Sequence, residues 1–290
     1  NTYLHMVNVL AGHEISDITS IYFNDDLLSL ETLSNDSNGI PIYTPTSGDT
    51  YYGKATIKKH FGDPAQLADA DLITATSGAT AVWSANHKIS GRAYVYVKLE
   101  FDSDVYPNGV PNVSCVVKGK KCYDPRATSF NANTDVSVAN DTITLTTHGL
   151  STFDRVKYDV NSGTAIGGLV DGTTYYVIKV DANTIKLSTN YTNCLASTQI
   201  DLTSQPSSET QKFNFTTLTS NPALQMRDYL SDTKYGLQAG TAELNDTNFI
   251  SVANTCDETV TLANPAGTEN RFTSNGTFQL SQSPKLILEN

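Results

Sequence analysis

The sequence predicts a mainly β protein: an α+β domain with one or two helices, interrupted by an inserted all-β domain of sandwich or barrel type. Three observations lead there. The chain is rich in Thr, Ser, Asn, Asp and Tyr, with β-branched residues in short runs, a composition that suits half-buried pleated surface. Helix-length amphipathic patterns are few. From about Ala127 to Thr219 the text turns to short β runs separated by Gly, Asn and Asp, the spacing of a small sandwich or barrel.

The character of the first part resumes at Ser220. The division is therefore a discontinuous domain, 1–126 plus 220–290, holding an insert, 127–219. Insertions are tolerated at exposed turn tips, where both chain ends lie close together. Tyr123-Asp124-Pro125-Arg126 and Ser220-Asn221-Pro222 are thus expected to be neighbours in space.

Each element has a local reason. Residues 1–30 read as two strands around a turn, the second resuming with Ile21 and Phe23 on one face. Ser47-Gly48-Asp49 is a turn signal between two Tyr-rich strands. "DPAQLADADLITA" is a helix pattern with Asp63 as cap and Pro64 at its first position. "GRAYVYVKLEFD" alternates cleanly, with Ala93, Val95, Val97 and Leu99 on one face and Tyr94, Tyr96 and Lys98 on the other. "VPNVSCVVKGKKCYDP" reads as two strands around a Lys-Gly-Lys-Lys turn, Gly119 supplying a positive φ, Pro111 setting an edge and Pro125 ending the pairing.

Inside the insert, "DTITLTTHGL", "DRVKYDV", "TTYYVIKVDANTIKLS" and "STQIDLT" read as strands, with a hairpin at "VDANT". Beyond it, "NPALQMRDYLSDTKYGLQ" is the best helix, capped by Asn221 or Ser220, started by Pro222 and ended by Gly236. Its apolar face is read as Ala223, Met226, Tyr229 and Leu230. A second helix opens near Asp246, and two strand segments flank Ser274-Asn275-Gly276-Thr277. The closing "SPKLILEN" looks like the start of a further helix, and the missing initial Met points to a piece of a longer polypeptide.

Composition narrows the function. A net charge of −11 argues against tight duplex binding, which needs a Lys/Arg patch. The cluster Lys118, Lys120 and Lys121 reads as a solvated hairpin end. No apolar run approaches the ~20 residues of a spanning helix, and no signal peptide is seen. Cys115, Cys122, Cys194 and Cys256 lack zinc-ligand spacing and are read as thiols rather than disulfides. The five His (5, 13, 60, 87, 148) show no catalytic spacing. "NDD" at 24–26 and "ADAD" at 68–71 read as surface acids, since neither matches a calcium loop. No cofactor or metal site is expected. Asp124 and Arg126 read as a structural ion pair ordering the strand exit. Arg227 is expected to pair with a carboxylate, and Arg126 to meet Asp228. Tyr158, Tyr175, Tyr176 and Tyr191 form a candidate sugar-stacking face on the insert, set against the plainer reading of half-buried strand residues.

"GRAYVYVKLEFDSDVYPNGVPNVSCVVKGKKCYDPR", followed by "SNPALQMRDYLSDTKYGL" and "NRFTSNGTFQLSQSPKLILEN", resembles the tail hub proteins of long-tailed bacteriophages, the group of the tail tip attachment (host specificity) protein J. The resemblance covers residues 1–126 and 220–290. It rests on Gly109, Pro111, Lys118, Gly119, Lys121, Tyr123, Asp124, Pro125 and Arg126, then on Asn221, Pro222, Arg227, Asp228 and Tyr229.

The resemblance implies a non-enzymatic structural protein of the virion, made in the bacterial host cytoplasm. Such hubs are homotrimers at the distal end of the tail. They close the tube, contact other tail proteins such as the distal tail and tape measure proteins, join the central fibre and open for DNA ejection. The insert is similar to a small β-module of phage and bacterial surface proteins. It carries the alternative reading, a module binding host glycan, receptor or a partner protein. A third reading, a wall hydrolase, finds no paired-carboxylate, Cys/His or zinc constellation at readable spacing.

Overall fold

The computed structural model describes residues 2–77, 82–161, 163–207, 209–263 and 265–275. It is mainly β, 37% strand against 12% helix, as the sequence predicts. The chain divides into two compact units, Asn1–Lys121 with Ala127–Leu218, and Cys122–Arg126 with Thr219–Asn290. The breaks fall near the edges of the expected insert. The grouping differs from the expected one, because the insert shares a unit with the chain that precedes it.

In the first unit, β1 (Tyr3–Ala11), β7 (Ala93–Glu100), β6 (Ala55–His60), β5 (Pro41–Pro45) and β4 (Leu30–Asn35) form an antiparallel sheet in that order. A smaller sheet joins β3 (Asp26–Leu27), β2 (Asp17–Phe23) and β8 (Val113–Lys118). The two strands expected in residues 1–30 are present, but they belong to different sheets. β8 takes β2 as its neighbour, Cys115 opposite Ile21, where the sequence suggested a hairpin with β9 (Lys121–Tyr123). The Gly119 backbone is not left-handed. Its carbonyl accepts the Ser16 N–H instead.

The alternation of β7 sets the layers. Ala93, Val95, Val97 and Leu99 join Ile15, Ile18, Ile21, Phe23 and Ile57 in one core. Tyr94 and Tyr96 point the other way, onto Leu72 of α1 (Ala70–Ala75). Fully buried side chains such as Val95 and Val97 contribute about 1.5–3 kcal/mol each. The helix begins later than its pattern suggested. Asp69, not Asp63, is the cap, accepting the Asp71 and Leu72 N–H groups, while Asp63 closes a turn on Ala65. Just before it, Gly62 has φ +84, and a Cβ there would lie 2.8 Å from the Ala93 nitrogen.

The insert has its own core: Phe130, Val156, Tyr158, Val177, Ile185 and Phe213 are among its buried members. Its strands run β10 (Thr128–Asn131), β16 (Thr210–Leu218), β13 (Arg155–Asp159), β14 (Thr174–Lys179), β15 (Thr184–Ser188), β12 (Thr142–Thr144) and β11 (Val136–Ser137). The β14–β15 hairpin is the one expected at "VDANT". "STQIDLT" forms no named strand, and a short helix not foreseen, α2 (Tyr191–Leu195), is capped by Asn190.

The second unit holds α3 (Pro222–Ser231), α4 (Asp246–Cys256) and a hairpin of β17 (Thr259–Ala263) and β18 (Ala266–Asn270). Asn221 caps α3 through its side chain, with Pro222 at the start. The helices pack through Ala223, Leu224, Ala253 and Cys256. Met226 and Tyr229, expected on the buried face, are half exposed, at 51% each. α3 also ends at Ser231, before Gly236, because Asp232 turns the chain back and Leu237 donates to the Tyr229 carbonyl. The strand expected after Ser274 and the helix expected at "SPKLILEN" lie outside the described residues.

Candidate functional site

The last five residues of the first motif, Cys122–Arg126, meet the second motif, about ninety residues on in sequence, in the second unit. The Arg227 guanidinium lies 4.9 Å from the Tyr123 ring centroid. Its Nε and Nη2 donate to the two Asp246 oxygens at 2.7 and 3.0 Å, the planar fork matching a carboxylate. Arg126 holds Asp124 through Nε and Nη2, as the sequence led us to expect, and Nη1 reaches Asp257 of α4's cap at 2.7 Å. The guanidinium is thus taken by Asp124 and Asp257, where the sequence led to Asp228. The Asp124 bond first, then Asp257, raises the Arg126 pKa further. Asn221 does a second task, donating from Nδ2 to the Ala253 carbonyl, which ties α3's cap to α4. Pro125 lies between the paired Asp124 and Arg126. Asp228 and Tyr229 lend their carbonyls to the residues that end α3.

Gly109, Pro111, Lys118 and Gly119 belong to the first unit. Gly109 closes a turn on Tyr106 with φ +88. Pro111 is buried. Lys118 stands opposite Asp17 in the β2–β8 ladder and is exposed.

Lys121 is not the solvated hairpin end that the basic cluster suggested. It is 8% exposed and bridges Glu14 at 3.3 Å and Asp154 at 3.0 Å, and it donates to the Phe153 carbonyl. Reciprocally, Arg155 of the insert reaches Glu14 at 2.7 Å and Asp63 at 3.3 Å. Tyr176 donates its hydroxyl to Asp63. Burial, against the Ala65 N–H bond, raises the Asp63 pKa. This ionic clasp explains why the insert groups with residues 1–121: each side supplies cations to the other's carboxylates.

The insert's four tyrosines form no sugar-stacking face. Tyr158, Tyr175 and Tyr191 are buried at 0%, 4% and 8%, and Tyr176 is turned into the clasp. Tyr158 pairs with Gln211 and accepts from the Ile166 N–H. Strand alternation sends Val156 and Tyr158, then Tyr175 and Val177, into one core.

A second polar centre was not foreseen. Lys58, fully buried, holds Asp36, Asp69 and Asp71 at 2.9, 2.8 and 3.0 Å. The His60 Nε2 meets Asp69 at 2.9 Å, and its ring stacks on Tyr94. Burial by itself would lower the Lys58 pKa and raise that of Asp69. The charge and hydrogen bonds of the partners outweigh it, so Lys58 is raised and Asp69 lowered. The residues read as surface "ADAD" acids thus include a carboxylate at 0% exposure. Asp71 carries this centre to a surface hollow of about 350 Å³, lined by Tyr3, His5, Thr74, Tyr96 and Lys98 among others.

All four cysteines are thiols rather than disulfides, three of them buried. Among the described residues, no group of three or more His, Cys, Asp or Glu is arranged to hold a metal ion, and no helix is long and apolar enough to cross a membrane. Comparison with known proteins finds no family model that matches the chain and no curated protein that matches it significantly.

Proposed function

We propose that this chain is a structural component of a phage tail-tip hub, a non-enzymatic ring protein that closes the tail tube and opens for DNA ejection. The observation that supports this reading is the joining of the end of the first motif, Cys122–Arg126, to the second motif in one unit, Arg227 over Tyr123, despite a whole domain between them. A conduit for DNA is served by a lining without Lys/Arg contacts, and a chain of net charge −11 supplies acids for it.

Light scattering on the purified chain tests the assembly. The expected mass is that of three 31.4 kDa subunits. A monomer at every concentration reached would remove the ring. Clearing on a cell-wall zymogram would replace the structural reading with a hydrolase.

The second reading, the insert as a binding module, is favoured by its separate hydrophobic core. With the tyrosines buried, its partner contact has to use other residues. A glycan array and a pull-down against tail proteins on the whole chain test it.

A further inference from the structure

We propose that the hollow between β1, β7 and the outer face of α1 is a subsite for one neutral sugar ring. This inference rests on neither reading above. The volume of about 350 Å³ is at the low end for small-molecule pockets, room for a single ring. Three elements converge on it: Tyr3 and His5 from β1, Tyr96 and Lys98 from β7, Asp71 and Thr74 from α1. His5 and Lys98 stand directly opposite in the β1–β7 ladder.

The chemistry is balanced. Asp71 brings one carboxylate and Lys98 one ammonium. The Asp71 Oδ2 is on Lys58, leaving Oδ1 as an acceptor. His5 is joined to the Tyr96 hydroxyl through Nδ1 at 2.7 Å, leaving Nε2 as its remaining hydrogen-bonding atom. Burial first, then the Lys98 charge, lowers the His5 pKa, which favours the neutral imidazole.

A ligand with a full charge would meet only a cation and an anion that offset each other. Sugar hydroxyls both donate and accept, and so use an acceptor carboxylate, an ammonium and a neutral imidazole together. The Tyr3 ring, 42% exposed, carries the Lys98 ammonium 4.3 Å from its centroid, which holds that donor among the lining residues.

The site is also held in place beforehand. Asp71 is anchored by Lys58, which is anchored by the buried Asp36 and Asp69. A buried ion network is a weak source of stability. Its position behind the hollow gives it a use, fixing the carboxylate before a ligand arrives.

The test is an NMR titration of the histidine-labelled whole chain, with the His5 signal assigned from a His5→Gln spectrum. The probes are glucose, galactose, N-acetylglucosamine and rhamnose, with glycine as a zwitterionic control. At least one sugar is expected to shift His5 saturably. Asp71→Asn and Lys98→Met, each folded by its melting curve, are expected to weaken that binding about tenfold, the loss of one good polar contact. The proposal is overturned if no sugar moves the His5 signal or if both folded variants bind as the parent does. It is equally overturned, in favour of an amino-acid site, if glycine alone moves the signal.

Discussion

The guanidinium of Arg227 lies over the ring of Tyr123, 4.9 Å from its centroid, while its fork grips Asp246. One side chain on α3 thereby joins the strand that enters the insert to the first turn of α4. Arg227 is 7% exposed, so its contacts are shielded from water on that side. Arg227→Met is expected to cost about 2 kcal/mol, the usual loss for hydrogen bonds to a charged group. Tyr123→Leu should cost about 1 kcal/mol from the cation–π contact. Urea unfolding of both single variants and the double variant checks this. Purely additive losses would show that the two side chains do not interact.

The ionic clasp makes a sharper prediction. Removing one partner of a buried pair leaves the other charge uncompensated, at about 3 kcal/mol. Glu14→Gln leaves Lys121 with Asp154 alone and Arg155 with Asp63 alone, and Arg155→Met removes the cation beside Asp63 while Glu14 keeps Lys121. Both should lower the unfolding midpoint clearly. Replacing residues 128–218 by a short Gly-Ser loop removes Arg155 and Asp154 together, and should destabilise what remains of the first unit. If the shortened chain melts as the parent does, the clasp contributes nothing.

Asp63 gives the clasp a pH dependence. Burial raises its pKa in the folded chain. The stability tied to its protonated form is therefore complete below the unfolded value and is lost as pH rises through the folded one. Asp63→Asn has no such titration. The parent should gain stability relative to this variant on going from neutral pH toward about pH 4. Parallel melting curves across that range would contradict the assignment.

Gly62 combines a left-handed backbone with close neighbours, the Ala93 nitrogen at 2.8 Å and the His13 carbonyl at 2.9 Å from a built Cβ. Gly62→Ala is expected to cost on the order of 3 kcal/mol, since strain and collision act together. Thermal melting measures it. Gly48→Ala, with nothing within 4 Å, carries the φ strain alone and should cost less.

What the sequence made legible was local. The alternation of β7 predicted both of its faces, because strand side chains have period two and each face buries its own layer. Asn221-Pro222 predicted the start of α3, because a cap and its helix are adjacent in the chain. What was not legible depends on distant partners. Asp69 looks like any surface acid until Lys58 and His60, eleven and nine residues away, are placed against it. Lys121 looks solvated until the insert delivers Asp154. The buried face of α3 was misread because the α3–α4 contact uses Ala223 and Leu224, and periodicity alone does not say which stripe a neighbouring helix covers.

Asp69 divides its two oxygens between two tasks. Oδ1 receives the Asp71 and Leu72 amides that start α1. Oδ2 receives Lys58 and His60 from β6. Asn would keep the first task and set an amide against two donors, and Ser would keep the cap and leave Lys58 underneutralised. Positions 58, 60 and 69 are therefore one inherited locus rather than three. A lineage that replaces the lysine with an apolar residue leaves Asp36 and Asp69 without their buried cation, and single substitutions among the three should be rare survivors in any mutational library selected for folding.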